Sequence, residues 1–269
     1  MIRFVLLALI ILTARPAAAV SLEMNGVFTQ GGIIMGRTDP GATLMLDGKP
    51  VRVGTDGVFV LGFGREAAPY AELVVRGPDG SEQRRTLEIA RREYQIQRID
   101  GLPQKYVEPP AEVLARIRRE NAEIRKVREI DTDRAYFAEG FIWPAKGRIS
   151  GVYGSQRVLN GEPKRPHYGI DVAAPAGTPV VAPAGGVVRL AEKDLYYTGG
   201  TIILDHGHGL SSAFLHMQDV SVKVGQELKR GERMGTVGST GRSTGAHLDW
   251  RINWFDVRVD AAVLVPPME

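Results

Sequence analysis

The sequence predicts an all-β protein with one linking α-helix: an N-terminal β-sandwich of immunoglobulin-like type, then a C-terminal domain of short antiparallel strands. Three observations carry that expectation. Over residues 22–89 short apolar runs alternate with turn signals at Asn25-Gly26, Gly31-Gly32, Asp39-Pro40-Gly41, Asp47-Gly48, Asp56-Gly57 and Pro78-Asp79-Gly80. Over residues 111–130 apolar side chains recur at a helical period. Past Gly140 the composition turns to glycine, proline and β-branched residues, and no long helical period follows. A chain of 269 residues can bury a large core and make two domains.

The N-terminus reads as a secretory signal peptide over residues 1–19. Arg3 precedes an apolar run over residues 4–12, and Pro16-Ala17-Ala18-Ala19 puts small residues at both positions a signal peptidase reads. The run is about half of the roughly 20 residues a membrane-spanning helix needs. A cleaved leader is expected, with the mature chain starting near Val20, no membrane span after cleavage and a secreted, periplasmic address.

Residues 20–95 make the expected sandwich, with strands at Thr43-Leu44-Met45-Leu46, Val58-Phe59-Val60-Leu61 and Ala71-Glu72-Leu73-Val74-Val75. It holds no histidine and no convergent polar cluster, so its expected role is binding or spacing, without chemistry. Residues 96–137 are the linker. Leu102-Pro103 and Glu108-Pro109-Pro110 break the chain and head a helix whose apolar positions are Val113, Leu114, Ile117, Ile124, Val127 and Ile130. Glu120-Asn121 interrupts that stripe, which favours packing across one or both domains over a coiled coil. The same charged segment could also fold over a cleft as an inhibitory arm. Residues 138–269 form the second β domain, with strands expected within residues 180–188 and at Thr201-Ile202-Ile203-Leu204 and Val222-Lys223-Val224.

Lys and Arg number 34 against 31 Asp and Glu, a formal charge of +3. So small an excess suits contact with an anionic polymer and equally an ordinary surface, and no basic cluster argues for nucleic acid. Cysteine is absent. That excludes disulfides, thiol catalysis, cysteine metal ligands and a lipid-modified N-terminal cysteine.

All five histidines fall between His167 and His247, and residues 1–166 contain none. A glycine-punctuated loop, Gly238-Ser239-Thr240-Gly241-Arg242-Ser243-Thr244-Gly245, runs into an alternating stretch carrying His247 and Asp249, which would project from one strand face. Upstream, His167-Tyr168-Gly169-Ile170-Asp171 offers another imidazole and carboxylate, and Phe214-Leu215-His216-Met217 a third imidazole. Three imidazoles and two carboxylates are the inventory of a zinc site with acid/base histidines beside it.

In this order, His167-x-x-x-Asp171, Phe214-x-His216-Met217 and Gly238-Ser239-Thr240-Gly241 leading to His247-x-Asp249 resemble the lysostaphin-type (LytM-like) zinc metallopeptidases, which cut peptide crosslinks of peptidoglycan. The resemblance covers about half the chain, from about residue 141 onward. It implies a LytM-type metallopeptidase domain of two antiparallel sheets with an open groove, Zn2+ as cofactor, peptidoglycan as substrate and other cell-wall enzymes as possible partners. It makes His167 and Asp171 the first two zinc ligands, and His216 and His247 the catalytic, non-ligand histidines that orient and deprotonate water. His206 and His208 fall at a turn of the pattern and are structural or solvent-facing. Asn160 and Arg165, ahead of the first ligand, are candidates for an oxyanion donor or a substrate rim. Tyr196-Tyr197 and Trp250 to Trp254 are expected in the core and groove wall.

One position departs from the family pattern. The last motif there is His-x-His, and the third ligand maps here to Asp249. A carboxylate binds zinc at about the same distance as an imidazole, so ligation is physically allowed. Two carboxylates and one imidazole cancel the metal's charge, where one carboxylate and two imidazoles leave it positive. Weaker Lewis acidity, or preference for a harder ion, is the consequence. The alternative is that Asp249 pairs with Arg251, two residues along the same face, and zinc is lost. The chain is then a degenerate relative that binds peptidoglycan or activates a partner amidase.

Overall fold

A computed structural model describes residues 19–101 and 108–268. Residues 1–18 of the expected signal peptide, and the Leu102-Pro103 break, lie outside the described residues. Two small antiparallel sheets build the N-terminal part. One orders Leu22–Gly26, Ile33–Thr38 and Val58–Gly62; the other orders Lys49–Val51, Thr43–Leu46, Tyr70–Arg76 and Glu82–Glu88. Alternation decides which side chains go inside: along Tyr70–Arg76, Ala71, Leu73 and Val75 are buried while Tyr70, Glu72 and Arg76 are exposed. They close on Ile34, Leu44, Phe59 and Leu61 from the facing strands. Asp47 and Gly48 both take positive φ, 49° and 72°, in the two-residue hairpin whose ends Leu46 and Lys49 pair. That turn matches the twist of the strands, and glycine accepts it without a Cβ clash.

The strand Val58–Gly62 is buried along its whole length. Phe59 and Leu61 face the sandwich core, while Val58 and Val60, with Ile33, join the C-terminal core. The sandwich is thus seated on the second domain through an apolar seam.

That domain is built on an eight-stranded sheet ordered Glu227–Leu228, Gly186–Leu195, Gly199–Gly207, Leu210–Met217, His247–Trp254, Ile170–Ala173 and Arg148–Gly151, with Val257–Val259 pairing His247–Trp254. All these pairs are antiparallel. Gly199–Gly207 and Leu210–Met217 are buried at every position, as expected of central strands covered on both faces. One face carries Ile202, Leu204, Phe214, Leu248, Trp250 and Ile252 into the main core. A second sheet, Pro179–Val181, Arg233–Thr236 and Asp219–Val220, adds Val180, Met234 and Val220 to that core. The strand expected at Val222-Lys223-Val224 is not one. Val222 is buried, but the chain turns there, Lys223 N donating to Gln226 Oε1.

The helix runs Ala111–Arg128 behind Pro110, and among the described residues it is the only α-helix. No helix there is long and apolar enough to cross a membrane. Ile124 and Val127 pack on Leu190, Leu195, Ile203, Ala213 and Leu215. Those residues lie on the opposite face of the large sheet from the main core, because side chains alternate along a strand. Asp249 stands opposite Leu215 and Arg251 opposite Ala213, so the motif strand shows its charged side chains on the helix-covered face. The linker also holds a strand that composition did not announce: Ile96–Ile99 pairs in parallel with Gln156–Leu159, which pairs with Glu162–Pro163. This three-stranded flap and the helix flank a groove over the large sheet.

Candidate active site

Asp171 and Asp249 are directly paired across neighbouring strands, so their carboxylates start side by side on one face. Two glycines make room for them. A Cβ on Gly151 would lie 2.2 Å from Asp171 Oδ2, and one on Gly169 would lie 2.0 Å from Asp249 Oδ1. Gly169 is the centre of the spacer between His167 and Asp171, which explains a glycine at that place in the motif.

His167 is buried against both acids, its Nε2 3.1 Å from Asp171 Oδ1 and 3.4 Å from Asp249 Oδ2. One ligand atom from each of the three lies within 4.8 Å of the others. A four-coordinate zinc with bonds near 2.0–2.2 Å separates its ligand atoms by about 3.3 Å. The fit is sharpened by partners that are missing: His167 Nε2 and Asp171 Oδ1 are buried and accept or donate no hydrogen bond. Buried polar atoms without partners are costly, and a cation between them would satisfy both. The residues present therefore fit a divalent metal.

Two arginines complicate the centre. Arg251 binds Asp249 through Nε at 3.0 Å and Nη2 at 2.5 Å, and Arg157 Nη2 stands 3.1 Å from Asp171 Oδ2. The sequence left Asp249 as either a ligand or the partner of Arg251. It is placed for both, with its Oδ2 shared. Burial alone would raise the Asp249 carboxyl, but Arg251 and His167 hold it well below the usual range. Burial likewise opposes charge on His167, and the Asp249 and Asp171 carboxylates outweigh it and raise its pKa.

His216 and His247 lie beside this group with ring centroids 4.8 Å apart. His247 Nε2 is 3.8 Å from Asp171 Oδ1. The glycine-punctuated loop orients both rings through its backbone: His216 Nδ1 donates to Thr240 O at 2.8 Å, and His247 Nδ1 to Gly245 O at 2.8 Å. A carbonyl only accepts, so each Nδ1 carries a proton. Burial pushes His216 down to about 4, which keeps it neutral near pH 7. His216 holds a left-handed φ of 65°, a strain of a kind that concentrates at functional sites.

The remaining candidates fall elsewhere. His206 is buried between Gly185 O and Ser212 Oγ, 2.6 and 2.7 Å away, and His208 contacts Asp133 O at 2.8 Å and the Phe137 ring. Both are structural. Asn160 turns a hairpin at φ 47° and lines neither cleft at the centre. Arg165 does line one, together with Tyr197, while Trp250 is in the core. Sequence reasoning missed Arg157, Arg242 and Arg258 in the groove. Arg242 lies in the glycine-punctuated loop and Arg251 two residues along the strand from Asp249, whereas no motif marks Arg157 or Arg258.

The pattern of peptidase family M23 matches residues 165–261, which contain all five residues of this centre. A crystal structure from Pseudomonas aeruginosa described as a candidate peptidase M23 is 30% identical, with 88% of this chain and 94% of that chain superposed at a TM-score of 0.67. The chain belongs to peptidase family M23. Among curated members, peptidoglycan DD-endopeptidase ShyA of Vibrio cholerae is 39% identical over 110 residues, 40% of this chain and 25% of that protein. Cell division protein DipM of Caulobacter vibrioides is 32% identical over 127 residues, 47% of this M23 chain and 20% of its own length. The M23 chain spans a quarter or less of these relatives, and what is matched is chiefly the domain carrying the centre.

Proposed function

We propose that this M23 protein is a secreted, periplasmic, zinc-dependent endopeptidase that hydrolyses peptide bonds of peptidoglycan stems or crosslinks. The observation that carries the reading is the convergence of His167, Asp171 and Asp249 with two buried ligand atoms unpartnered. The names of relatives such as the V. cholerae DD-endopeptidase support the substrate. Zinc held by these three residues supplies Lewis acidity to the attacking water and the peptide carbonyl. The chain's own part is proton handling and orientation. His216 and His247 lie beside that position, each ring fixed through Nδ1 by a loop carbonyl, so one can take the proton of water at Nε2 and pass it to the leaving amine.

A second reading has its own observation. Arg157 and Arg251 already neutralise the two carboxylates, as would suit a member that binds peptidoglycan, or a partner amidase, without cutting. One comparison separates the two. Purified protein should carry near-stoichiometric zinc that Asp249→Ala loses, and should release muropeptides from sacculi in a way that His216→Ala or His247→Ala lowers by about 100-fold or more. Metal-free protein that binds sacculi and releases nothing selects the binder.

A further inference from the structure

Two clefts meet at the centre; they share Arg157, His216 and Arg242, and only the first has a carboxylate in its wall. The first, of about 290 Å³, is walled by the loop from Arg242 to His247 and by Gln97, Arg148 and Ser150, and it takes in Arg157 and the Asp171 carboxylate. The second, of about 430 Å³, also reaches His167 and His216 and is lined by Arg157, Lys164, Arg165, Arg242, Arg251 and Arg258, with no acidic residue in its wall. Five guanidiniums and an ammonium along one channel repel one another, and of these Arg157 is paired with Asp171. Arg251 has Asp249, but among the described residues no carboxylate lies within 4 Å of Arg165 or Arg258.

The guanidiniums are held rigidly. Arg258 lies over the Tyr168 ring at 5.4 Å, and Arg242 over Tyr197 at 4.6 Å. Burial, with Arg251 next to it, pushes Arg258 down to about 10. Arg128, which descends from the end of the helix beside the same wall, is pushed to about 9 by burial and by Arg258 and Arg251, and its Nε is buried without a partner. Cations kept in mutual repulsion and poorly hydrated are strong binders of whatever anion relieves them, and a guanidinium fork matches a carboxylate.

We infer that the arginine-lined cleft, which has no acid in its wall, is a subsite for a free carboxylate on the peptide, so that the substrate reaches the centre with its anionic side here. The inference rests on the proposed peptidase reading for the word substrate, and not for the binding itself. An anionic side chain or chain end next to the scissile bond pairs with Arg258 and Arg165 and sets which way the peptide runs. The same peptide with that carboxylate amidated loses the pairing.

Calorimetric titration of the full chain with a synthetic stem peptide bearing free carboxylates, and with its amidated twin, tests this. The acid should bind about tenfold or more tightly, with an advantage that shrinks as salt rises. Arg258→Gln should bring the two affinities together, and Arg165→Gln, at an exposed position that folding does not need, should do so in part. Equal affinities for acid and amide, or tighter binding of a phosphorylated glycan fragment than of either peptide, would overturn the subsite. Hydrolysis is read separately. Acid preference without turnover sinks the peptidase and keeps the subsite, and equal turnover of acid and amide does the reverse.

Discussion

At the scale of the residue, the decisive position is Asp249, and its departure from the family pattern is tied to Arg251. Histidine there matches the third ligand of the family pattern. It would also remove the carboxylate that, among the described residues, alone is bonded to Arg251, and leave a guanidinium facing the centre unpaired. Breaking a buried pair from one side costs several kcal/mol, because the remaining charge keeps its desolvation penalty. Asp249→His alone is therefore expected to lower stability by about 3 kcal/mol and to gain little metal. Adding Arg251→Leu should recover most of that loss and bring zinc binding up with it. Urea unfolding and metal analysis on the two single variants and the double variant check this, and additive single effects would mean that the two residues are not coupled.

At the scale of the element, legibility followed periodicity. The strands at residues 43–46, 58–61 and 71–75 were readable because alternation and turn residues agree, and the helix because its apolar stripe follows prolines. The centre was readable because its acids and imidazoles sit in short motifs on strands whose two-residue period aligns them. The strand Ile96–Ile99 was not. It has four residues, its first is exposed, and its partner lies about 60 residues later in a parallel pair that no local signal encodes. Arg157 escaped for the same reason, since it reaches Asp171 only once that flap is in place. The helix is also more than a linker. Glu120 accepts from Tyr196 N at 2.9 Å, Arg116 binds Asp194, and Ile124 and Val127 cover an apolar face of the large sheet. Of the helix residues, Asn121 reaches the arginine-lined cleft, so the segment serves as a wall of the groove. Ile124→Ser should lower stability by about 1–2 kcal/mol, as expected for a half-buried contact. Its muropeptide release should not rise. A variant of unchanged stability and higher activity would favour the inhibitory arm instead.

At the scale of the whole molecule, the sandwich is part of the same body as the C-terminal domain. Ile33, Val58 and Val60 belong to the cluster that holds Leu204, Ile252 and Val259, and Trp254 touches both cores. Polar contacts frame the seam: Arg92 binds Asp260 at 2.9 Å, Asp260 N donates to Gly31 O at 2.7 Å, and Arg52 reaches Asp131 at 2.6 Å and Asp133 at 3.0 Å. The strand Val58–Gly62 backs Val257–Val259, the strand that carries Arg258 into the cleft, so the N-terminal domain supports the groove from behind. Domains joined by scattered polar contacts unfold separately, whereas a shared apolar core couples them. Scanning calorimetry of residues 20–269 should therefore give one transition with equal calorimetric and van't Hoff enthalpies. Val60→Ala, which removes two buried carbons from the seam, should lower stability by about 2 kcal/mol and keep the single transition. Val60→Asp, which places a charge there without a partner, should split it in two and weaken binding of carboxylate-bearing peptide, as the strand behind Arg258 loses its support. Two transitions in the unaltered chain would mean that the seam carries no coupling and that the sandwich is a spacer after all.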